Sequence, residues 1–222
     1  TVSLFCLLAG QSSSASQSLL NASTALSCNS TSRVLIIRHC DKDDSSRRHC
    51  NAKGFRRAEW FPRLFVGPDA RYEVPYKIIA RGPERKHYVM RSVEMVKPLS
   101  DEVGVEVLSN YSDKHVQVLI DDMRSMVDSG ELCDKLLLVC WKHEQIPQIA
   151  EKLGYYPAHS GDHKKSSGKW KWKGKDFDTI VDLNITVLGR RKKKHKRRKN
   201  RWLVQGHLES ENFVDDEDAS PE

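Results

Sequence analysis

Short aliphatic runs alternate with amphipathic stretches through the middle of the chain. Val34-Leu-Ile-Ile37, Tyr76-Lys-Ile-Ile-Ala80, Val105-Glu-Val-Leu108 and Leu136-Leu-Leu-Val-Cys140 read as strands, the first and last with no polar residue at all. A strand that shows no alternation is buried on both faces. Between these runs lie stretches with helical spacing: Gly54 to Phe65, Arg91 to Val103, Val116 to Met126 and Gln145 to Leu153. In the second, Val93, Val96, Leu99 and Val103 fall on one stripe. Gly104 and Gly154 stand where two helices must stop, since glycine enters the left-handed conformation that ends a helix. Thr179 to Leu188 is a last strand. Parallel strands need crossover helices, so the pattern predicts a three-layer α/β/α sandwich with a mostly parallel central sheet.

The chain has 222 residues and a net charge of +7. Enough sequence is present for one domain with a core of its own. The charge is not spread evenly. Residues 164–201 carry 16 Lys and Arg against 3 Asp, residues 202–222 carry 7 acidic residues and no Lys or Arg, and the remainder is close to neutral. The expected organisation is a Ser-rich segment 1–32, a domain 33–189, a basic insertion 190–201 and an acidic tail 202–222. The run from Arg190 to Arg201 offers weak contact to polyanions, which falls steeply with salt. The alternative is a solvated run that binds nothing specifically. Trp170 and Trp172 interleave with lysines just before it.

Val2 to Ala9 is apolar, but eight residues cannot cross a bilayer, so the given chain holds no transmembrane span. The run fits the end of a signal-peptide core or of an anchor, which points to a secreted or lumenal protein, with a cytoplasmic or nuclear one as the alternative. The sequons at Asn21, Asn29, Asn110 and Asn184 are compatible with that route. None of the six cysteines forms a CxxC pair or has zinc spacing with histidine. Cys140 ends an apolar strand and reads as a buried thiol. Disulfide pairing is left open by the spacing.

In α/β sheets the ligand lies beyond the carboxyl ends of the strands. Arg38-His39-Cys40-Asp41-Lys42 follows the first strand, and Arg81 the second, with Arg91-Ser92 at the next helix start. Trp141-Lys142-His143-Glu144 follows the fourth strand. Two histidines and two arginines at three separate strand ends suit a phosphate: guanidinium binds its oxygens bidentately, a helix start favours anions, and imidazole accepts a phosphoryl group.

These segments resemble the histidine phosphatase superfamily, the phosphoglycerate-mutase-like proteins. The strand with Arg38-His39 is similar to the RHG signature. Asn51-Ala-Lys-Gly-Phe-Arg-Arg-Ala58 resembles the family's first helix, and Arg91-Ser-Val-Glu-Met-Val-Lys-Pro-Leu99 its R-S-x-E-T-x-x-P-L segment. Val139-Cys-Trp-Lys-His-Glu-Gln-Ile-Pro147 and Lys175-Asp-Phe-Asp178 resemble segments of its small members. The resemblance implies a phosphoric monoester hydrolase acting on a small phosphorylated substrate through a phosphohistidine on His39. It assigns the phosphate oxygens to Arg38, Arg91 and His143, and requires no metal or cofactor. Glu144 is the preferred proton donor, with Asp113 as the alternative acid. Lys42 and Arg81 are candidate substrate contacts.

Two positions depart from the family pattern. Cys40 replaces the glycine after the histidine, and Met95 replaces the threonine of the second segment. Cys40 therefore leaves a second reading open, a catalytically weak relative that binds phosphorylated ligands. The loops Asp41–His49 and Gly82–Met90 are rich in charge and fit an anionic substrate. His49-Cys50 with Arg56 also spells the HCx5R pattern of cysteine-dependent phosphatases. That chemistry needs a strand running into the cysteine, and the preceding Asp43-Asp-Ser-Ser-Arg-Arg48 is polar, so the match is read as chance.

Overall fold

The computed structural model describes residues 31–43, 48–84, 88–157, 170–190 and 200–215. The Ser-rich segment up to residue 30, the sequons at Asn21 and Asn29, the core of the basic run and the acidic residues after Asp215 lie outside them.

Among the described residues six strands form one sheet: β1 (Thr31–Arg38), β2 (Lys77–Arg81), β3 (Val107–Tyr111), β4 (Leu136–Trp141), β5 (Thr179–Arg190) and β6 (Asn200–Ser210). Their spatial order is β3-β2-β4-β1-β5-β6. The pairs β2·β3, β2·β4 and β1·β4 are parallel. β5 is antiparallel to both β1 and β6, so the sheet is mixed and β5 alone runs against the rest. Among the described residues four α-helices cover it: α1 (Ala52–Trp60), α2 (Arg91–Val103), α3 (Val116–Ser129) and α4 (Ile146–Leu153). This is the expected three-layer α/β/α sandwich, built on a mixed sheet.

The period-two geometry of the strands sorts the aliphatic runs onto two faces. Leu35, Ile37, Ile78, Ala80, Leu136, Leu138 and Cys140 pack with Ala58 of α1 and Met95, Val96 and Leu99 of α2. Val34, Ile36, Ile79, Leu137, Val139 and Trp141 pack with Leu119 and Met123 of α3 and Ile149 and Leu153 of α4. Consecutive residues of β1 and β4 thus serve opposite cores, which explains the unbroken apolar spelling. Gly104 ends α2 with φ +68° and Gly154 ends α4 with φ +103°, as the sequence predicts.

Two sequence expectations change. The third strand lies at Val107–Tyr111 rather than Val105–Leu108, because the chain after Gly104 is still bonding back to Ser100. Asn200–Ser210 is a strand, although its start was expected in the basic insertion and the rest in the acidic tail. The eye misses β6 because it is an edge strand whose side chains are mostly exposed. Trp172 is buried in the α3/α4-side core with Trp170 packed against that core, so the stretch before the basic run is part of the ordered domain.

β4 is the most deeply buried strand, with every residue from Leu136 to Trp141 inaccessible. Leu138→Ala should therefore lower the unfolding free energy by about 2–5 kcal/mol, the cost of lost burial plus an unfilled cavity. Urea denaturation of the two proteins measures it.

Candidate active site

Strand register brings distant residues together. β1 and β4 pair in parallel as far as Arg38 opposite Trp141. The ladder continues one residue past β1, where the His39 N–H donates to the Trp141 carbonyl at 3.1 Å. β2 is level with them, Ala80 lying opposite Cys140. The carboxyl ends of three parallel strands thus deliver Arg38-His39, Arg81 and Lys142-His143 to one edge of the sheet. α2 begins at Arg91 beside them.

The rings of His39 and His143 face each other edge-on, 6.4 Å between centroids and 79° between planes. His39 is buried, and its Nδ1 lies 2.8 Å from its neighbour's carbonyl, that of Cys40. A carbonyl only accepts, so Nδ1 holds the proton and Nε2 presents its lone pair. Burial, the nearby charges of Arg91 and Arg38, and His143 push the His39 pKa down to about 3; the bond to Cys40 opposes them without winning. The imidazole is neutral over the whole physiological range.

Arg38 is also buried. Its Nη1 donates to the carbonyls of Gly174 (2.7 Å) and Asp176 (2.8 Å), and its guanidinium stacks 3.7 Å from the centre of the Phe177 ring. Its Nε has no hydrogen-bond partner among the described residues. Burial lowers its pKa to about 10; Glu144 opposes the shift and Arg91 adds to it. Burial and Arg38 likewise hold the His143 imidazole below its usual range, with Lys42 and Arg91 contributing and Glu144 opposing. In all three groups burial is the largest cause, and the neighbouring cations add repulsion to it. A bound dianion would reverse that repulsion.

Of the residues singled out in the sequence, Arg38, His39, Arg91 and His143 therefore meet in one electrostatically coupled group, with Lys42 within range of His143. Glu144 adjoins it: its Oε2 is 3.3 Å from His143 Nδ1, and its side chain is 61% exposed. α4 starts with Gln145 as its cap, with no side-chain capping bond, so Glu144 is not spent on the helix. Arg81 and Asp113 are held differently. Asp113 is ion-paired with Arg81 Nε and with Lys142 Nζ (2.7 Å). Burial works against its ionisation, but the hydrogen bonds from Lys142 and Arg81 outweigh it and hold the carboxyl below its usual range.

The segment before β5 supplies what sequence reasoning missed. Asp176 accepts from the amides of Asp178 and Thr179, both at 3.1 Å, and from the Thr179 hydroxyl at 2.6 Å. Trp172 Nε1 donates to the Asp176 carbonyl at 2.9 Å. This tight turn aims two carbonyls and the Phe177 ring at Arg38. The only sequence signal was Lys175-Asp-Phe-Asp178 itself. Cys40 and Cys50 form a disulfide, so Cys50 is no nucleophile and the HCx5R pattern has no site. Cys140 is a buried free thiol, as expected. No described helix is long and apolar enough to cross a membrane.

No protein-family model matches the chain, and no curated protein sequence matches it significantly. Solved structures do resemble it. One, from Nakamurella multipartitia, is provisionally identified as the phosphohistidine phosphatase SixA. It shares 15% identity and a TM-score of 0.43 over 79% of this chain and 95% of its own. Another, from Agrobacterium tumefaciens, is provisionally given the same name. It shares 16% identity and a TM-score of 0.36 over 69% of this chain and 91% of its own.

Because His39 stays neutral in the fold, the unfolded chain binds the extra proton between about pH 6.5 and pH 3. Stability contributed at this position is therefore present above that window and is lost as pH falls through it. His39→Gln, which cannot titrate, should lose about 2 kcal/mol less than wild type between pH 7 and pH 5. Denaturant melts of both proteins at the two pH values give the difference, and equal losses would show that His39 titrates normally.

Proposed function

We propose that this chain is a phosphomonoester hydrolase whose nucleophile is His39. The supporting observation is the buried, neutral imidazole whose Nδ1 is tied to the Cys40 carbonyl, leaving the Nε2 lone pair aimed away from that bond and within a cluster of cations. A nucleophile needs its lone pair, and most histidines at neutral pH need no help to have one. What burial and the neighbouring guanidiniums add is that His39 keeps it even with positive charges close by.

In the first step Nε2 attacks phosphorus in line. The N–P bond forms as the ester P–O bond breaks, and the leaving oxygen takes a proton from Glu144. In the second, the Glu144 carboxylate takes a proton from water as its oxygen attacks phosphorus. The N–P bond breaks and inorganic phosphate leaves. Arg38, Arg91 and His143 hold the equatorial oxygens and stabilise their charge as the group transfers. Arg38 is suited to this by preorganisation, since its plane is fixed by Phe177 and two carbonyls. Glu144 is preferred to Asp113 as the acid, because Asp113 is kept ionised by two cations while Glu144 sits beside His143.

Incubation with a labelled aryl phosphate, followed by an alkaline quench, should trap one acid-labile, base-stable phosphate on His39. His39→Ala should abolish it, and Arg91→Ala should lower kcat/KM about 10²–10³-fold. Tight phosphate binding with neither label nor turnover would identify a phosphate-binding protein instead.

A further inference from the structure

The Cys40–Cys50 disulfide links the residue after the candidate nucleophile to the residue before the cap of α1, and its Cα atoms are 5.6 Å apart. Both cysteines are buried. Both sulfurs also lie against the backbone carbonyl of Arg91, Cys40 Sγ at 3.4 Å and Cys50 Sγ at 3.8 Å. One covalent bond therefore touches the carbonyl that fixes the His39 tautomer, the entry to α1 and the first residue of α2.

Non-covalent contacts around it converge on the same three segments. The Asn51 amide donates to the Asp41 carbonyl at 3.0 Å. Glu94, in the first turn of α2, accepts from the Cys50 amide at 2.8 Å and pairs with His49 at 2.5 Å. α1 approaches so closely that a Cβ on Gly54 would stand 2.5 Å from the Asp41 carbonyl oxygen and 3.1 Å from Cys40 Cβ. Yet residues 41–43 and 48–49 carry little apolar side chain to hold this loop by packing. The crosslink supplies that constraint.

We propose that the Cys40–Cys50 disulfide is a positioning clamp for His39 and Arg91, and that a dithiol reductant switches the site off by opening it. The proposal rests on the phosphohistidine reading above. In the reduction, local opening of the loop first exposes the buried bridge; one thiolate of the dithiol then attacks one of its sulfurs, displacing the other cysteine as thiolate, and forms a mixed disulfide. Its second thiolate then displaces the remaining cysteine. The reductant leaves as its own disulfide, and Cys40 and Cys50 are released as thiols after taking up two protons. The nucleophile loop then loses its covalent tether to the entry of α1 and is left with the hydrogen bonds and ion pairs to α1 and α2. A displacement of about 1 Å at a reacting group is worth about 10²-fold in rate.

The test uses the full chain produced in an oxidising compartment, with the Cys40–Cys50 linkage checked by peptide mapping without reductant. Phosphoenzyme formation is timed in a single turnover for wild type, for Cys40→Ser/Cys50→Ser, and for each after dithiothreitol. Cys133 is disulfide-bonded too, so Cys133→Ser is the control for reduction elsewhere. The clamp requires a 10–100-fold slower step in the double variant, with KM changed less than about threefold. Dithiothreitol should bring wild type and Cys133→Ser down to the same rate and leave the double variant unmoved. The acid limb of the rate profile should also move to higher pH as His39 gains water, an effect that lost stability alone does not produce. If the double variant does not fold, folded wild type reduced under near-ultraviolet circular dichroism carries the same comparison. Unlinked Cys40 and Cys50 in the mapped protein overturn the clamp, as do equal rates in wild type and the double variant. Absence of any phosphohistidine in oxidised wild type sinks the hydrolase reading instead.

Discussion

Everything chemical in this molecule depends on the register between β1 and β4. The two strands pair in parallel at the centre of the sheet, and the bond from the His39 amide to the Trp141 carbonyl holds that pairing past the end of β1. A slip of one residue would send every side chain to the opposite face. Leu35 and Ile37 would exchange cores with Val34 and Ile36, and His39 would turn away from His143. Such a slip is prevented because both faces are buried and filled. The aliphatic core is therefore not only what makes the fold stable. It fixes the distance between two imidazoles that are 104 positions apart in the chain.

The cluster so assembled is electrostatically unfavourable by itself. Arg38 and His39 are buried and His143 partly so, and burial, with the neighbouring guanidiniums adding to it, lowers the basicity of all three. Stacking on Phe177 and bonds to two carbonyls keep Arg38 in place despite this. Those carbonyls disperse charge without neutralising it, whereas a carboxylate in the same position would fill the anion's place. The neighbouring Arg81–Asp113–Lys142 group shows the contrast: there the cations already have their carboxylate, and the group is self-satisfied.

Much of this was legible in the sequence, for identifiable reasons. Buried parallel strands announce themselves as unbroken aliphatic runs, and the helix stops at Gly104 and Gly154 are local chemistry. The residues at strand ends follow from topology alone, so Arg38, His39, Arg91 and His143 could be named together. What escaped was set by contacts distant in sequence. β6 is an edge strand with Gln205, Gly206 and His207 at its middle, which reads as loop until β5 is placed beside it. Phe177 looks like an ordinary core aromatic until Arg38 lies on it. The pairing of Cys40 with Cys50 could not be separated from the alternatives, since spacing says nothing about which sulfurs meet.

The overlooked edge strand also reaches the site. Glu211, just past β6, is fully buried and bonds Arg57 of α1 at 3.1 Å. Arg57 in turn holds Asp41 at 2.7 Å, one residue beyond Cys40, and stacks 4.5 Å from the Phe213 ring. The end of the sheet thus braces the loop after β1 through a single guanidinium. Burial pushes the Glu211 pKa up to about 8 although Arg57 pulls it down. A carboxyl raised in this way takes up its proton on folding, so its contribution grows as pH falls from about 8 towards 4.5 and is lost as pH rises through 8. His39, and His143 in the same direction, act oppositely, losing stability as pH falls below about 6.5. The two effects offset one another where their windows overlap, in mildly acid solution. The brace that supports the loop therefore also compensates, in part, for the cost of keeping a neutral histidine among cations.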